Sequence, residues 1–116
     1  MTSKELNKKL LQAVPELKKA FDEFTSWQEG IETGSHTVFE NLVVPFAIDI
    51  IENENDEVIK RLFNLVEEII TSKDEYAEEV AQLSFLEPLK AEHGDEYDFS
   101  KIMSKETYSL FNSLEF

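Results

Sequence analysis

Apolar residues recur every three or four positions along most of this chain, which is the spacing of helices. In the first segment the recurring positions are Leu6, Leu10, Ala13, Leu17, Phe21, Phe24 and Trp27. Thr2 and Glu5 are spaced as a capping box at its start, and Gly30 and Gly34 mark a turn at its end. Pro15 leaves two interpretations open, because it either kinks one helix or opens a second helix at its first turn.

The second segment, residues 37–52, is apolar on nearly every side of a helix. Such a helix is expected at the centre of the fold, covered by its neighbours. Pro45 lies inside it and removes one backbone hydrogen bond, and we expect a kink there rather than a break.

Residues 56–71 form the clearest amphipathic helix of the chain. Its apolar face consists of Val58, Ile59, Leu62, Phe63, Val66, Ile69 and Ile70. Charged and amide side chains occupy the opposite face, so the spacing predicts that one side packs against the core.

A further helix is predicted over residues 74–87, with Ser72 and Glu75 as its capping box. Its inner face is predicted to consist of Tyr76, Ala77, Val80, Leu83 and Ser84. Pro88 and then Gly94 end the helical pattern, and Ser104 is expected to cap a short final helix.

These patterns predict an all-α fold in a single domain over residues 1–116. Five to six helices joined by tight turns would stack as antiparallel hairpins, either HEAT- or armadillo-like or as an irregular bundle. The pattern contains no strand signal, and glycine and proline number only three each.

Charge divides the chain into two unequal parts. Residues 1–30 carry five basic and five acidic side chains, whereas residues 31–116 carry six basic and twenty acidic ones, which accounts for the net charge of -14. A folded surface this acidic repels nucleic acids and anionic membranes and attracts basic proteins. No apolar run approaches the ~20 residues that span a bilayer. We therefore expect a basic protein partner, no nucleic acid and no membrane.

The chain has many carboxylates, but no pattern of residues selects a catalytic or metal site among them. The chain has no cysteine and two histidines, His36 and His93. The segment 53–57 resembles the start of a calcium loop but lacks the glycine and glutamate that such a loop requires. No nucleophile, phosphate-binding or dinucleotide motif occurs. We predict no catalytic residue, no metal and no cofactor, and therefore a protein that is not an enzyme.

Three acidic segments are the candidate partner-binding surfaces. Their residues are Glu75, Glu78 and Glu79 on one helix, Glu54, Asp56 and Glu57 in one turn, and Asp95, Glu96, Tyr97 and Asp98 in one loop. Each segment is either a docking surface or simply a solvated face, as most charge runs are. Among the aromatic residues, we assign Trp27 to the core because it continues an apolar stripe, and Tyr97 to the interface.

The middle of the chain resembles a family of short, all-helical bacterial proteins found beside polymorphic secreted toxins, where immunity proteins occur. The resemblance rests on Phe63-Asn-Leu-Val-Glu-Glu68, Ser72-x-Asp74-Glu75 and Ser84-Phe-Leu-Glu-x-Leu89, with Val38-Phe-Glu40 upstream and Ser104-x-x-Thr107 and Leu110-Phe111 downstream. It covers residues 36–111 and leaves residues 1–35 outside.

Charge and resemblance together predict a cytoplasmic bacterial immunity protein. It would bind a basic toxin domain, such as a nuclease, and neutralise the toxin by covering its working surface. The alternative is a helical scaffold or adaptor subunit whose acidity serves only solubility. A small enzyme or metal protein that uses the carboxylates is a third interpretation.

Overall fold

Six helices make up the protein in the computed structural model, which describes residues 1–115. Phe116, the last residue of the predicted domain, lies outside them. The helices are α1 (Ser3–Ala13), α2 (Lys18–Thr25), α3 (three consecutive segments, Ser35–Val38, Phe39–Val43 and Val44–Glu52), α4 (Asp56–Thr71), α5 (three consecutive segments, Glu75–Ala81, Gln82–Leu86 and Glu87–His93) and α6 (Lys105–Ser113). Residues 1–115 contain no β-strand. The predicted all-α fold is confirmed.

The start of the chain resolves the two interpretations of Pro15. Thr2 Oγ1 accepts from the Glu5 amide at 3.1 Å and Glu5 Oε1 accepts from the Thr2 amide at 3.0 Å, so the predicted capping box is present. Val14 then leaves the helical conformation, with φ −130° and ψ 73°, and Pro15 begins a 3₁₀ turn, Pro15–Leu17, that leads into α2. Pro15 therefore opens a second helix, where its missing N–H is not required.

The capping box predicted at the start of α5 is wrong. The N-cap is Asp74, whose carboxylate accepts from the Ala77 amide at 3.0 Å. Ser72 instead ends α4, and its hydroxyl donates to the Ile69 carbonyl at 2.6 Å. Lys73, with φ +63°, separates the two helices. Ser72 and Asp74 are both good N-cap residues, and the left-handed Lys73 between them leaves Asp74 as the cap of α5.

Two helices contain a wide turn of π-helix immediately before a proline. In α3 the segment is Phe39–Val43 and is followed by Val44-Pro45, and in α5 it is Gln82–Leu86 and is followed by Glu87-Pro88. The hydrogen bonds inside these segments span five residues, as from the Val44 amide to the Phe39 carbonyl. Each proline then sits in the first turn of a new α-helical segment, where no intrahelical donor is needed.

These turns change two predictions about prolines. Pro45 interrupts α3 without breaking it, as expected, although the irregularity is a π segment that begins six residues earlier. Pro88 does not end α5, contrary to the pattern, because the preceding π segment absorbs it. The helix continues to His93 and ends at Gly94.

The core lies where α3, α4 and α5 cross. Phe85 sits in the π segment of α5, with its ring 6.4 Å from that of Phe39 in the π segment of α3 and 5.8 Å from that of Phe63 on α4. The buried face of α4 consists of Val58, Leu62, Phe63, Leu65, Val66 and Ile69. Apart from Leu65, these are predicted positions, whereas Ile59 and Ile70 are only half-buried. Helix α1 packs on α3 and α4, and α6 packs on α4.

The prediction that Leu83 lies on the inner face of α5 is wrong. Its side chain is 46% exposed, whereas its neighbours Ser84 and Phe85 are buried. Leu83 precedes Ser84 by one position, so the two side chains leave the helix in different directions. It points to solvent beside the acidic residues of α5.

Candidate functional site

The structure brings two of the three acidic segments together at one end of the molecule. The Tyr97 hydroxyl donates to Glu52 Oε1 at 2.9 Å, which holds the loop after α5 against the turn between α3 and α4. Asp56 shares a surface hollow with Lys101 and Ile102, just beyond that loop. We call residues 52–57 and 92–98 the acidic end. It contains Glu54, Asp56 and Glu57 from the turn and Asp95, Glu96 and Asp98 from the loop.

A groove with aromatic walls opens beside the loop of the acidic end. Its volume is about 370 Å³, in the range of small-molecule or side-chain binding sites. Phe99 and Phe111 are buried beneath it, and Tyr97 and Tyr108 are half-buried at its sides. Asp95 and Asp98 also line it. The groove thus joins apolar walls to negative charge, which suits the stem and head of a lysine or arginine side chain.

Hydrogen bonds fix the charges around the groove. The Asp98 carboxylate accepts from the Ser100 hydroxyl at 2.5 Å and from the Ser100 amide at 3.2 Å, and these bonds lower the pKa of Asp98. The pKa of Tyr97 is raised, because its hydroxyl donates to the Glu52 carboxylate. Lys90 Nζ is occupied by the backbone carbonyls of Asn112 at 3.0 Å and Leu114 at 2.7 Å. The one cation in the lining is therefore engaged by the protein itself.

Other members of the acidic end have partners within the chain. Glu96 forms a hydrogen bond of 2.7 Å with Nδ1 of His93, and Glu57 Oε1 lies 3.9 Å from Nε of Arg61. Glu54 adopts a left-handed backbone conformation with φ +52°, which turns the chain sharply between α3 and α4. Tyr97 is less accessible than its place in an acidic loop suggested, because its ring packs edge-on against Phe99 at 6.0 Å.

The third segment, Glu75, Glu78 and Glu79, lies at the other end of the α4–α5 hairpin. Helix α4 has 16 residues and therefore spans about 24 Å between the acidic end and the start of α5. The three glutamates line a shallow surface with Gln82 and the exposed Leu83, and we call these five residues the α5 patch. The structure thus divides the predicted site residues between two surfaces.

A serine, a histidine and a glutamate meet beside the α5 patch. His36 Nδ1 lies 2.5 Å from Ser84 Oγ, and His36 Nε2 lies 3.8 Å from Glu79 Oε1. The second distance is longer than a hydrogen bond, so Glu79 does not orient the imidazole as an activated serine requires. Ser84 is also only 6% exposed. The arrangement joins α3 to α5 and does not form a nucleophile–base pair that is open to a substrate.

The prediction that Trp27 lies in the core is wrong. Its side chain is 94% exposed, although it continues the apolar stripe of α2. Helix α2 ends at Thr25, with Ser26 as its C-cap, so helical spacing no longer applies at Trp27. The sequence Gln28-Glu29-Gly30, which follows Trp27, is typical of a turn and is the sequence signal that the helix has ended.

Residues 1–115 contain neither a metal-binding cluster nor a helix suited to span a membrane. No group of three histidine, aspartate or glutamate side chains among them is placed to hold a metal ion. None of their helices combines the length and apolar character that crossing a membrane demands.

Comparison with known proteins gives a family and no function. The family described as "Domain of unknown function (DUF7674)" matches residues 7–116. Searches of curated proteins and of solved structures each found no match. The matched region includes most of residues 1–35, which the resemblance to toxin-associated proteins had left outside, and the description names no toxin. The chain belongs to the DUF7674 family.

Proposed function

We propose that this protein is a non-catalytic acidic binding protein that neutralises a basic bacterial toxin by direct contact. The acidic end is the docking surface, and the toxin domain that it covers is one whose own ligand is anionic, as in a nuclease. The protein would act in the bacterial cytoplasm, before the toxin reaches its target.

One observation supports this assignment above the others. Two acidic segments some forty residues apart in sequence are joined by the hydrogen bond from Tyr97 to Glu52, and Asp95 and Asp98 of the second segment line a groove with aromatic walls. Carboxylates raise the rate of encounter with a basic partner, and partly buried aromatic side chains slow its release. A merely solvated face needs no such groove.

Matched charge reversals test this assignment. One variant carries Glu54→Lys, Asp56→Lys and Asp95→Lys at the acidic end, and its control carries Glu75→Lys, Glu78→Lys and Glu79→Lys on the α5 patch. Both change the net charge equally, so both weaken long-range steering to a similar degree. The difference in binding between the two variants therefore measures what direct contacts at the acidic end contribute.

The partner in this experiment is the product of the neighbouring reading frame, which we expect to contain a basic toxin domain. We expect the acidic-end variant to lose protection of co-expressing cells, with a slower association rate and a flatter salt dependence, while the α5-patch variant still protects. Loss only in the α5-patch variant would move the docking surface there. Full protection by both variants would favour the scaffold interpretation, in which the acidity serves solubility.

A further inference from the structure

Trp27 stands apart from every other large apolar side chain that the structure describes. It is 94% exposed, the next is Leu83 at 46%, and the remaining ones are buried or half-buried. It is also the only tryptophan of the sequence. Tryptophan is strongly enriched among the residues that dominate binding energy at protein interfaces, so an uncovered one indicates a contact surface.

The turn that carries Trp27 is held firmly by hydrogen bonds. The Gln28 amide donates to the Thr25 carbonyl at 3.0 Å, and the Gln28 side chain donates to the Phe24 carbonyl at 3.2 Å. The Glu29 amide donates to the hydroxyl of the buried Thr33 at 3.2 Å. An indole presented on an ordered turn loses little conformational freedom on binding, which favours affinity.

The turn is connected to the core through Asn7. This fully buried side chain donates to the Thr33 carbonyl at 2.7 Å and to the Ile31 carbonyl at 3.0 Å. The segment after Trp27 is therefore anchored on α1, and the position of the indole is a feature of the fold.

The charge around Trp27 selects a basic partner. Residues 22–32 contain Asp22, Glu23, Glu29 and Glu32 and no lysine or arginine. Lys18 pairs with Asp22 at 2.5 Å, which leaves three exposed glutamates within five residues of Trp27 in the sequence. The neutral sum over residues 1–30 conceals this separation, because all the lysines there precede Phe21.

We propose that the Trp27 turn, residues 22–32, is a second contact surface that receives an arginine side chain of a basic protein segment. A guanidinium group stacks on the indole face, while its N–H groups are left to donate to the carboxylates of Glu23 and Glu29. The inference rests on the proposed function only in taking the partner to be basic, and it holds whether or not that partner is a toxin.

The single tryptophan gives a direct measurement. The probe is a blocked deca-arginine peptide, titrated into the full-length protein at low salt while tryptophan emission is recorded. We expect the emission to shift to shorter wavelength as the indole is covered. In Trp27→Ala, affinity measured by calorimetry should fall about two- to fivefold, as for an exposed cation–π contact.

Matched variants keep the result specific. Leu83→Ala removes the other large exposed apolar side chain within residues 1–115 and should leave peptide affinity unchanged. Glu23→Gln with Glu29→Gln keeps the indole and should weaken binding while reducing its salt dependence. Because Trp27 contacts solvent, Trp27→Ala should retain the parent melting temperature, which separates a binding effect from a folding effect.

Three results would overturn the proposal. Emission that does not move at peptide saturation would mean that the peptide binds elsewhere on the acidic surface. Equal affinity in Trp27→Ala would show that the indole is no anchor. A shift that depends on protein concentration without peptide would show that a second copy covers Trp27. Each leaves the toxin assay of the acidic end unaffected, so the two proposals fail separately.

Discussion

Phe85 and Trp27 are both large aromatic side chains, yet their surroundings are opposite. Phe85 is 0% exposed and packs against Phe39 and Phe63 where three helices cross, whereas Trp27 is 94% exposed on a turn. The comparison indicates that packing is concentrated at the helix crossing, whereas the periphery carries the surface that we propose for recognition. Changes at one should therefore leave the other largely intact.

The largest effect on stability should come from removing a core side chain where α3, α4 and α5 cross. Phe63→Ala removes a ring that is 3% exposed and 5.8 Å from that of Phe85, and we expect the free energy of unfolding to fall by about 3–5 kcal/mol. Urea denaturation followed by circular dichroism measures this. Leu83→Ala, on the exposed side of α5, is the control and should change stability by less than about 0.5 kcal/mol. A loss that small in Phe63→Ala would contradict the central place of the crossing.

An intermediate effect should come from Asn7, which links the two regions. Asn7→Ala leaves the Thr33 and Ile31 carbonyls and the Ser35 hydroxyl without the partner that now bonds them. We expect a loss of about 1–3 kcal/mol in unfolding free energy, the usual penalty for buried polar groups left unpaired.

Asn7→Ala also tests the link between the two regions, because it should weaken arginine-peptide binding although Trp27 itself is unchanged. Asn64→Ala, an exposed asparagine on α4, is the matched control for stability and binding. Parent-like peptide affinity in Asn7→Ala would show that the Trp27 turn does not depend on its anchor.

The smallest effect concerns a surface ion pair and appears only in acid. Both terminal nitrogens of Arg61 donate to the Glu16 carboxylate, which lowers the pKa of Glu16 from 4.5 to about 2. A lowered folded-state pKa adds stability that is complete above the unfolded value and is lost as pH falls through the folded one. The melting temperature should therefore decline between pH 4.5 and about pH 2 from this source.

Glu16→Gln isolates that contribution. Its melting temperature should lie slightly below that of the parent near neutral pH and converge with it as the parent carboxylate is protonated. A difference that stays constant over the whole range would show that the pair does not govern the acid response.

Sequence patterns correctly predicted the features that depend on residues close together in the chain, namely helices and their N-caps. Residues 56–71 form a helix over the predicted range, and Thr2 and Ser104 cap the helices assigned to them. The errors arise where competing local registers or a tertiary contact decides. Ser72 and Asp74 are equally suitable caps until the left-handed Lys73 separates them.

The candidate surfaces likewise combine residues that the local sequence identifies with contacts that it does not reveal. Sequence identified the acidic residues, but the hydrogen bond between Tyr97 and Glu52 joins positions 45 apart and unites two segments. No periodicity could reveal that contact, nor that Trp27 lies beyond the end of its helix. The link to toxins comes from resemblance alone and stays a prediction.

The π segment of α5 also gives that helix a residue to spare. A five-residue hydrogen bond holds one residue more per turn than an α-helix, so deleting Leu83 would let that turn close as an α-helix. The turn would sweep about the same angle with one residue fewer, and the second half of α5 would keep its direction. Leu89 would stay in the core, and the loop that holds Tyr97 against Glu52 would stay in place. The acidic end could thus survive the loss of one aliphatic residue, whereas a deletion in the middle of α4, which has no π segment, would rotate everything after it by about 100°.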